Sequence, residues 1–539
     1  MRRRRDFREL ADEVAREIEA GALRGGERLP TQRAFARRRG IAVSTAIRVY
    51  GELARRGLVV GEVGRGTFVR AAAPHPGGAA LTEGPPRPPG SQPPGLRSPD
   101  VRSPDVRSPG LRSPDVRSDV RSPGLPSPDV RSPDVRSDVR SPGLPSPDVR
   151  SPGSGPGPAM VNLELNYPLV EGQSALMARA LGPLARADVL LEATRPAAPD
   201  GTAAAREAAA TVLARSGWRP DAGRLLFAGN GRQAIAAALS SLVRPGGRVG
   251  VEEVTYPLVR AIAEQLGVRL VPIAVDEQGM LPDALAAAHR TASLAAVYVQ
   301  PTLQNPLSVT AGAERRARLA AVIRDLGCRV VEDGTWGFLA EDAPAPLAAL
   351  LPERVIFVDS LSKRVAPGLT LGMLAAPADH LDALARSLRS GGWAAGAFAL
   401  EAAVRWVGDG TVETLVAAKR ADVEVRHGIV RERLIGPGPG PGPGAGAGAG
   451  PGAGAGVKGR FRIDPRSYYC WWELPPPWRA ETFVAAAAAR GIAVTPGPAF
   501  AADGQRAGQA VRIGLASPPT EVLAWALDTL VDIAVGEAG

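Results

Sequence analysis

Two cysteines in 539 residues exclude a disulfide framework, and neither Cys328 nor Cys470 stands at metal-ligand spacing to any of the four histidines. Aromatic residues make up only 4% of the chain, and the 45% hydrophobic content is mostly Ala, Leu and Val. No run of about 18 apolar residues occurs, which argues against a membrane span. The start Met1-Arg2-Arg3-Arg4-Arg5 carries the charge of an export signal, but an amphipathic, acid-containing segment follows it in place of an apolar core. These absences point to a soluble protein of a reducing cytoplasm with no metal site. The length predicts two or more domains.

What the sequence does have is charge gathered at one end. The net charge is +10, and residues 1–70 hold 17 Arg against 9 Asp and Glu, which leaves about +8 of it in that segment. Such asymmetry points to a polyanion partner. Composition then separates three regions. Residues 71–159 repeat Ser-Pro-Asp-Val-Arg-Ser, with Pro-Gly-Leu-Pro at 123–126 and again at 142–145. Frequent proline with balanced Asp and Arg cannot assemble a core, so a disordered linker is expected, with a root-mean-square span of roughly 50 Å. Residues 160–539 are mixed in composition. A Gly/Pro/Ala tract at 436–456 interrupts them and reads as a surface-loop insertion, because alternation resumes at Tyr468-Tyr469-Cys470-Trp471-Trp472.

In the first region Leu10, Val14 and Ile18 recur at helical spacing between Asp6 and Ala20, and Gly21 stops that helix. Thr31 caps a second helix that runs to Arg39 before Gly40, and Ser44 can cap a third running to Arg56. Two β runs, Leu58 to Gly61 and Gly66 to Arg70, flank Glu62-Val63-Gly64-Arg65 and predict a hairpin wing. The pattern is a winged helix-turn-helix. Leu29-Pro30-Thr31-Gln32-Arg33, Arg48-Val49-Tyr50, Gly57-Leu58 and Gly64-Arg65-Gly66-Thr67-Phe68-Val69 resemble the DNA-binding domain of the GntR family. That resemblance implies a third helix in the major groove and a wing at the minor groove, with Arg33, Thr45, Arg48 and Gly66 near double-stranded DNA. Where the family has Ser-Arg at the start of the recognition helix, this chain has Ala42-Val43.

From Gly201 to about Leu374, Ala-rich helical stretches alternate with short apolar strands at 248–251, 295–299, 330–331 and 355–358. This predicts a mainly parallel α/β sheet with ligands beyond the carboxyl ends of its strands. Polar motifs fall at those ends. Ala228-Gly229-Asn230-Gly231-Arg232-Gln233-Ala234 is a Gly-rich turn opening a helix, suited to phosphate. Tyr256-Pro257, Asn305-Pro306, Glu332-Asp333 and Asp359-Ser360-Leu361-Ser362-Lys363 follow or end strands, and Arg512 lies on the late strand 510–514. Singly, each has a structural reading: a surface Lys, an ion pair, a turn, core packing.

In this order and spacing the motifs resemble a fold-type-I, class I/II aminotransferase with a small C-terminal α+β subdomain, and head plus tail resemble the MocR/GabR group of regulators. The resemblance implies pyridoxal 5'-phosphate as cofactor, with Lys363 forming the Schiff base, Asp333 pairing with the pyridine nitrogen and Asn305 meeting the ring oxygen. Tyr256 would stack on the ring, Gly229, Asn230, Gly231 and Ser360 would hold the phosphate, and Arg512 would grip the carboxylate of an amino-acid-like ligand. Asn166 and Pro168, in Leu165-Asn166-Tyr167-Pro168, match the family's ligand-side entry segment more loosely. Trp336 stands where the resemblance expects a tyrosine beside the cofactor, and Thr370 where it expects a phosphate-binding arginine, a charge that Arg232 or Arg364 could replace.

Three functions remain open at this point. One is a cytoplasmic, homodimeric transcription regulator that senses an amino compound through external aldimine formation at Lys363, without need of turnover. The second is a working aminotransferase with an incidental DNA-binding head. The third is a DNA-binding dimer whose aminotransferase-like domain holds no cofactor.

Overall fold

The computed structural model describes residues 7–19, 23, 27–55, 58–62, 66–69, 160–436, 459–503 and 508–536. The expected linker at 71–159, residues 437–456 of the Gly/Pro/Ala tract and the wing tip at 63–65 lie outside them.

The apolar periodicity near the start forms three helices, α1 (Phe7–Glu19), α2 (Gln32–Arg39) and α3 (Val43–Arg55). Leu10 and Val14 of α1 pack with Phe35 of α2 and with Ala46, Val49, Tyr50 and Leu53 of α3. The Oγ1 of Thr31 accepts from the N–H of Ala34 at 3.3 Å, and Gly40 ends α2 at φ 63°, a left-handed conformation open to glycine without strain. Ser44 is not the cap of α3. The N–H groups of Thr45 and Ala46 both donate to Ala42 O, at 3.0 and 3.1 Å, so the chain has turned helical before Ser44 is reached. Strands β1 (Val59–Glu62) and β2 (Gly66–Val69) pair antiparallel from Val59 opposite Val69 to Glu62 opposite Gly66.

In the large domain seven strands form one sheet: β3 (Leu225–Ala228), β4 (Arg248–Glu252), β5 (Arg269–Ile273), β6 (Ala296–Val299), β7 (Arg329–Asp333), β8 (Val355–Ser360) and β9 (Gly372–Ala375). Their spatial order is β3-β9-β8-β7-β6-β4-β5. The pairs from β8 to β5 are parallel, and only β9 runs against both neighbours. Val330 and Val331, adjacent on β7, join separate cores on opposite faces, as do Val297 and Tyr298 on β6. A sheet covered on both sides explains why its strands read as unbroken apolar runs.

A second sheet of four antiparallel strands follows: β10 (Arg460–Arg462), β11 (Tyr469–Glu473), β12 (Thr495–Pro496) and β13 (Ala510–Gly514), in the order β10-β11-β13-β12. Trp472, Phe483, Ile513 and Leu527 fill its core. Among the described residues no helix is long and apolar enough to cross a membrane.

Candidate functional site

The carboxyl ends of β6, β7 and β8 point to one edge of the large sheet, and the segments leaving them line a cavity with the Gly-rich turn, Tyr256 and Arg512. Lys363 reaches it from a single helical turn, α5 (Leu361–Arg364), directly after β8. Its Nζ donates to Asn166 O at 2.7 Å and lies 4.4 Å from the Tyr167 ring centre and 5.1 Å from that of Trp336. Burial above all, then the charges of Arg512, Lys419 and Arg232, lowers its pKa to about 7. A lysine so shifted is a free amine over much of the neutral range.

The backbone under Lys363 is held by a second lysine. Lys419, fully buried on helix α6 (Thr411–Val430), donates from Nζ to the carbonyls of Lys363, Arg364 and Val365, each at 2.9 Å. These are the carbonyls a helix leaves unpaired at its C-terminal end, and the Lys419 Nζ meets them, although burial lowers its pKa to about 7. Nothing in the spacing of Lys419 distinguishes it from an ordinary helix-face lysine.

Asp333 ends β7, buried. Its Oδ2 accepts from Tyr298 Oη at 2.7 Å and Gln300 Nε2 at 2.8 Å, and its Oδ1 from the N–H of Thr335 at 3.0 Å. Gln300 also accepts the N–H of Asn305 at 3.1 Å, tying the two positions together. Below them Glu252 is fully buried, and desolvation raises its carboxyl to about 8. Arg512 reaches across from β13, with Nη2 donating to Glu164 O and Nη1 making a long 3.5 Å contact to Asn305 Oδ1. Burial lowers its pKa to about 10. Arg512 Nε and Asn166 Nδ2 are buried donors without a hydrogen-bond partner. Unmet donors of this kind on two cavity-lining residues suit an anionic ligand.

At the other end Asn230 caps helix α4 (Gly231–Leu242), its Oδ1 accepting the N–H of Gln233 at 3.0 Å. A Cβ on Gly231 would come within 3.1 Å of Ser360 Oγ, so the glycine leaves open a cradle between the helix start and that hydroxyl. Thr335 and Ser362 line the same cavity. Helix N-terminus, hydroxyls and glycine make a site that fits a phosphate.

Asn230, Gly231, Tyr256, Asn305, Asp333, Trp336, Ser360, Lys363 and Arg512 thus share one cavity. Gly229 is not among its lining residues; its N–H donates to Trp393 O at 3.0 Å. Sequence reasoning missed Tyr298, Gln300, Glu164, Thr335 and Lys419. On the head, Arg33 and Arg48 are exposed, Thr45 is half-buried and Gly66 opens β2. The Arg48 guanidinium lies 3.9 Å over the Phe7 ring.

Residues 7–69 match the family described as bacterial regulatory proteins, gntR family. The chain is 30% identical over 231 residues to the uncharacterized HTH-type transcriptional regulator YdeF of Bacillus subtilis, covering 43% of this chain and 50% of that protein. It is 27% identical over 214 residues to the HTH-type pyridoxine biosynthesis transcriptional regulator PdxR of Corynebacterium glutamicum, covering 39% and 46%. The chain therefore spans about half the length of these relatives. Its fold is similar to LysN, alpha-aminoadipate aminotransferase of Thermus thermophilus complexed with N-(5'-phosphopyridoxyl)-L-leucine, with a TM-score of 0.59 at 20% identity over 70% of this chain and 92% of that one. A GntR-family head is joined here to an aminotransferase-like fold.

On that fold the departures noted in the sequence acquire positions. Trp336 packs edge-on against Tyr469, with ring centres 5.6 Å apart. Thr370 Oγ1 and Ser362 Oγ share a 2.6 Å hydrogen bond. Arg364 is buried and bound to Asp359 Oδ1 at 2.8 Å, while Arg215 takes Oδ2 of the same carboxylate at 2.6 Å. Arg364 does not line the cavity, whereas Arg232 does.

Proposed function

We propose that the chain is a DNA-binding transcription regulator whose aminotransferase-like domain holds pyridoxal 5'-phosphate and senses an amino compound. The observation that carries this reading is the convergence of Lys363, Asp333 and Arg512 on one cavity in a chain with a GntR-family head. When bound, the cofactor supplies an aldehyde carbon to which amines add, on a ring that withdraws electrons. The lowered pKa of Lys363 makes its amine the nucleophile for that carbon. Asp333, oriented by Tyr298, Gln300 and Thr335, would hold the proton of the ring nitrogen, Asn305 the ring oxygen, and Tyr256 and Trp336 the ring itself. Asn230, Gly231, Ser360 and Arg232 would take the phosphate, Arg232 supplying the charge that Arg364 spends on Asp359. The spare donors of Arg512 and Asn166 suit the effector's carboxylate.

An amine entering the cavity competes with Lys363 for the same carbon, and a sensor needs that exchange rather than turnover. Arg33, Thr45, Arg48 and Gly66 of the head (1–70) would approach an operator. Residues 71–159 act as linker to the sensing domain (160–539, with its insertion at 436–456). The working form is a cytoplasmic homodimer. The names of PdxR and of the LysN complex support the link between such a fold, a pyridoxine-derived group and transcription.

The test is the visible absorption of the purified chain with pyridoxal phosphate, wild type and Lys363→Ala, titrated with amino acids and amines. A lysine-bound band absent from the variant, shifted reversibly by an amine, is the expected result. Rapid conversion to the pyridoxamine form would replace the sensor by a working aminotransferase. No band at all would leave a DNA-binding protein with a cofactor-free domain.

A further inference from the structure

The outward face of α3 is apolar where a DNA-reading helix usually presents hydrogen-bonding side chains. Ala46, Val49, Tyr50 and Leu53 turn inward and are buried, which completes the head's core without help from the rest of the helix. Val43 and Ile47, one turn apart on the other side, are 43% and 51% exposed. Among the described residues of the head they are the exposed large hydrophobic side chains, and both sit in the first half of α3. Ser44 beside them is exposed and short. The first turn of α3 carries no acidic residue.

The helix that precedes α3 is cationic. Arg33, Arg37 and Arg38 of α2 are exposed, and the Arg48 guanidinium is drawn aside over Phe7. The cations can meet phosphates, which position a duplex without reading it. Base reading then falls to what α3 itself presents in the major groove. The bidentate readers are Arg or Lys for guanine and Asn or Gln for adenine, and Val43, Ser44 and Ile47 include none of these; the Ser44 hydroxyl can meet either base without telling them apart. The base edge that an aliphatic side chain recognises is the 5-methyl group of thymine.

We propose that Val43 and Ile47 select thymine-containing operators by contacting thymine methyl groups in the major groove. The inference rests on the DNA-binding reading of the head and adds the class of sequence that it prefers. The exposed arginines of the preceding helix and the acid-free helix start favour a nucleic-acid partner for this face over a second copy of the chain.

The test uses the full-length chain and a pool of random-sequence duplexes. Retained sequences should share thymines at fixed positions. One enriched duplex is then remade with uracil, which lacks the 5-methyl group, at those thymines or, as a control, at flanking ones. Each contacted methyl removed should weaken binding about fourfold, the value of one buried methyl-sized group, and the flanking control should leave it unchanged. The double variant Val43→Ser, Ile47→Ser should still bind duplex DNA but lose the difference between thymine and uracil. If wild type binds the uracil duplex equally well, the proposal fails while DNA binding stands. If the pool yields no bound duplex, both fail together. If the double variant alters only the oligomeric state, the face is a contact between copies and the proposal is overturned.

Discussion

If Arg512 holds an effector's carboxylate as proposed, Arg512→Leu separates recognition of that carboxylate from recognition of the amine. Arg512 is buried, its Nη2 already donates to Glu164 O, and its Nε has no partner. A carboxylate that engages both nitrogens exchanges one hydrogen bond at Nη2 and gains one outright at Nε. Only the second counts in full, so the net contribution is that of one charge-assisted bond, about 2–3 kcal/mol. This corresponds to roughly 30- to 150-fold in affinity. The assay titrates the lysine-bound cofactor band with an α-amino acid and with the amine that lacks only its carboxylate. In the variant the amino acid should lose its advantage by that factor while the amine binds as before. The substitution leaves Glu164 O without its donor, at about 1 kcal/mol, and relieves a desolvated cation, so the melting temperature should move little. An amino acid to amine ratio within about threefold of wild type would refute the assignment.

Three other perturbations follow from the same geometry. Lys363 is an ammonium below pH about 7 and an amine above it, so the rate of cofactor capture should rise with pH and level off far below the range of a solvent lysine; a midpoint near 10 would contradict it. Because the unfolded lysine binds its proton more tightly than the folded one, this group makes stability rise with pH from about 7 to 10.5. Asp359→Ala strands two cations, Arg215 and Arg364, and should cost about 3–5 kcal/mol in a denaturant titration; a loss below about 1 kcal/mol would mean the triad contributes little. Gly231→Ala places a Cβ 3.1 Å from Ser360 Oγ and should weaken pyridoxal phosphate about fivefold, at ~1 kcal/mol of crowding, with unphosphorylated pyridoxal unaffected; equal weakening of both would place the phosphate elsewhere.

Much of the fold was legible because its signals are local. Thr31 and Gly40 bound α2 through a side-chain oxygen and a left-handed backbone, both properties of the residues themselves. The apolar runs of β6, β7 and β8 mark strands buried on two faces. The mistaken cap at Ser44 shows the limit: Ala42, with no side chain to cap, starts α3 by its carbonyl alone, and composition holds no trace of that. The partners of Asp333 were illegible for a similar reason. Tyr298 and Gln300 lie two apart on and just beyond β6 and reach Asp333 only because β6 and β7 pair in parallel, which brings residues 33 and 35 positions away into hydrogen-bond range. Lys419 acts on Lys363 through main-chain carbonyls, which every residue possesses.

The two arginines open for the phosphate show what pairing adds to residue type. Arg232 and Arg364 are equal on paper, each one residue from a predicted site residue. The structure separates them by place: Arg364 is held at Asp359 away from the cavity, whereas Arg232 lines it. Asp359 sits fully buried at the end of β8 and cannot be left with its charge unopposed, so Arg364 and Arg215 close on its two oxygens. That commitment stiffens the strand end from which Lys363 departs and removes Arg364 from the cavity. Arg232, exposed on the first turn of α4, stays at the cavity wall. A cofactor phosphate placed as proposed at the start of α4 would meet a helix terminus, hydroxyls and one arginine. Its affinity should depend on Arg232 more steeply than on any other side chain at that end, because the remaining donors are neutral.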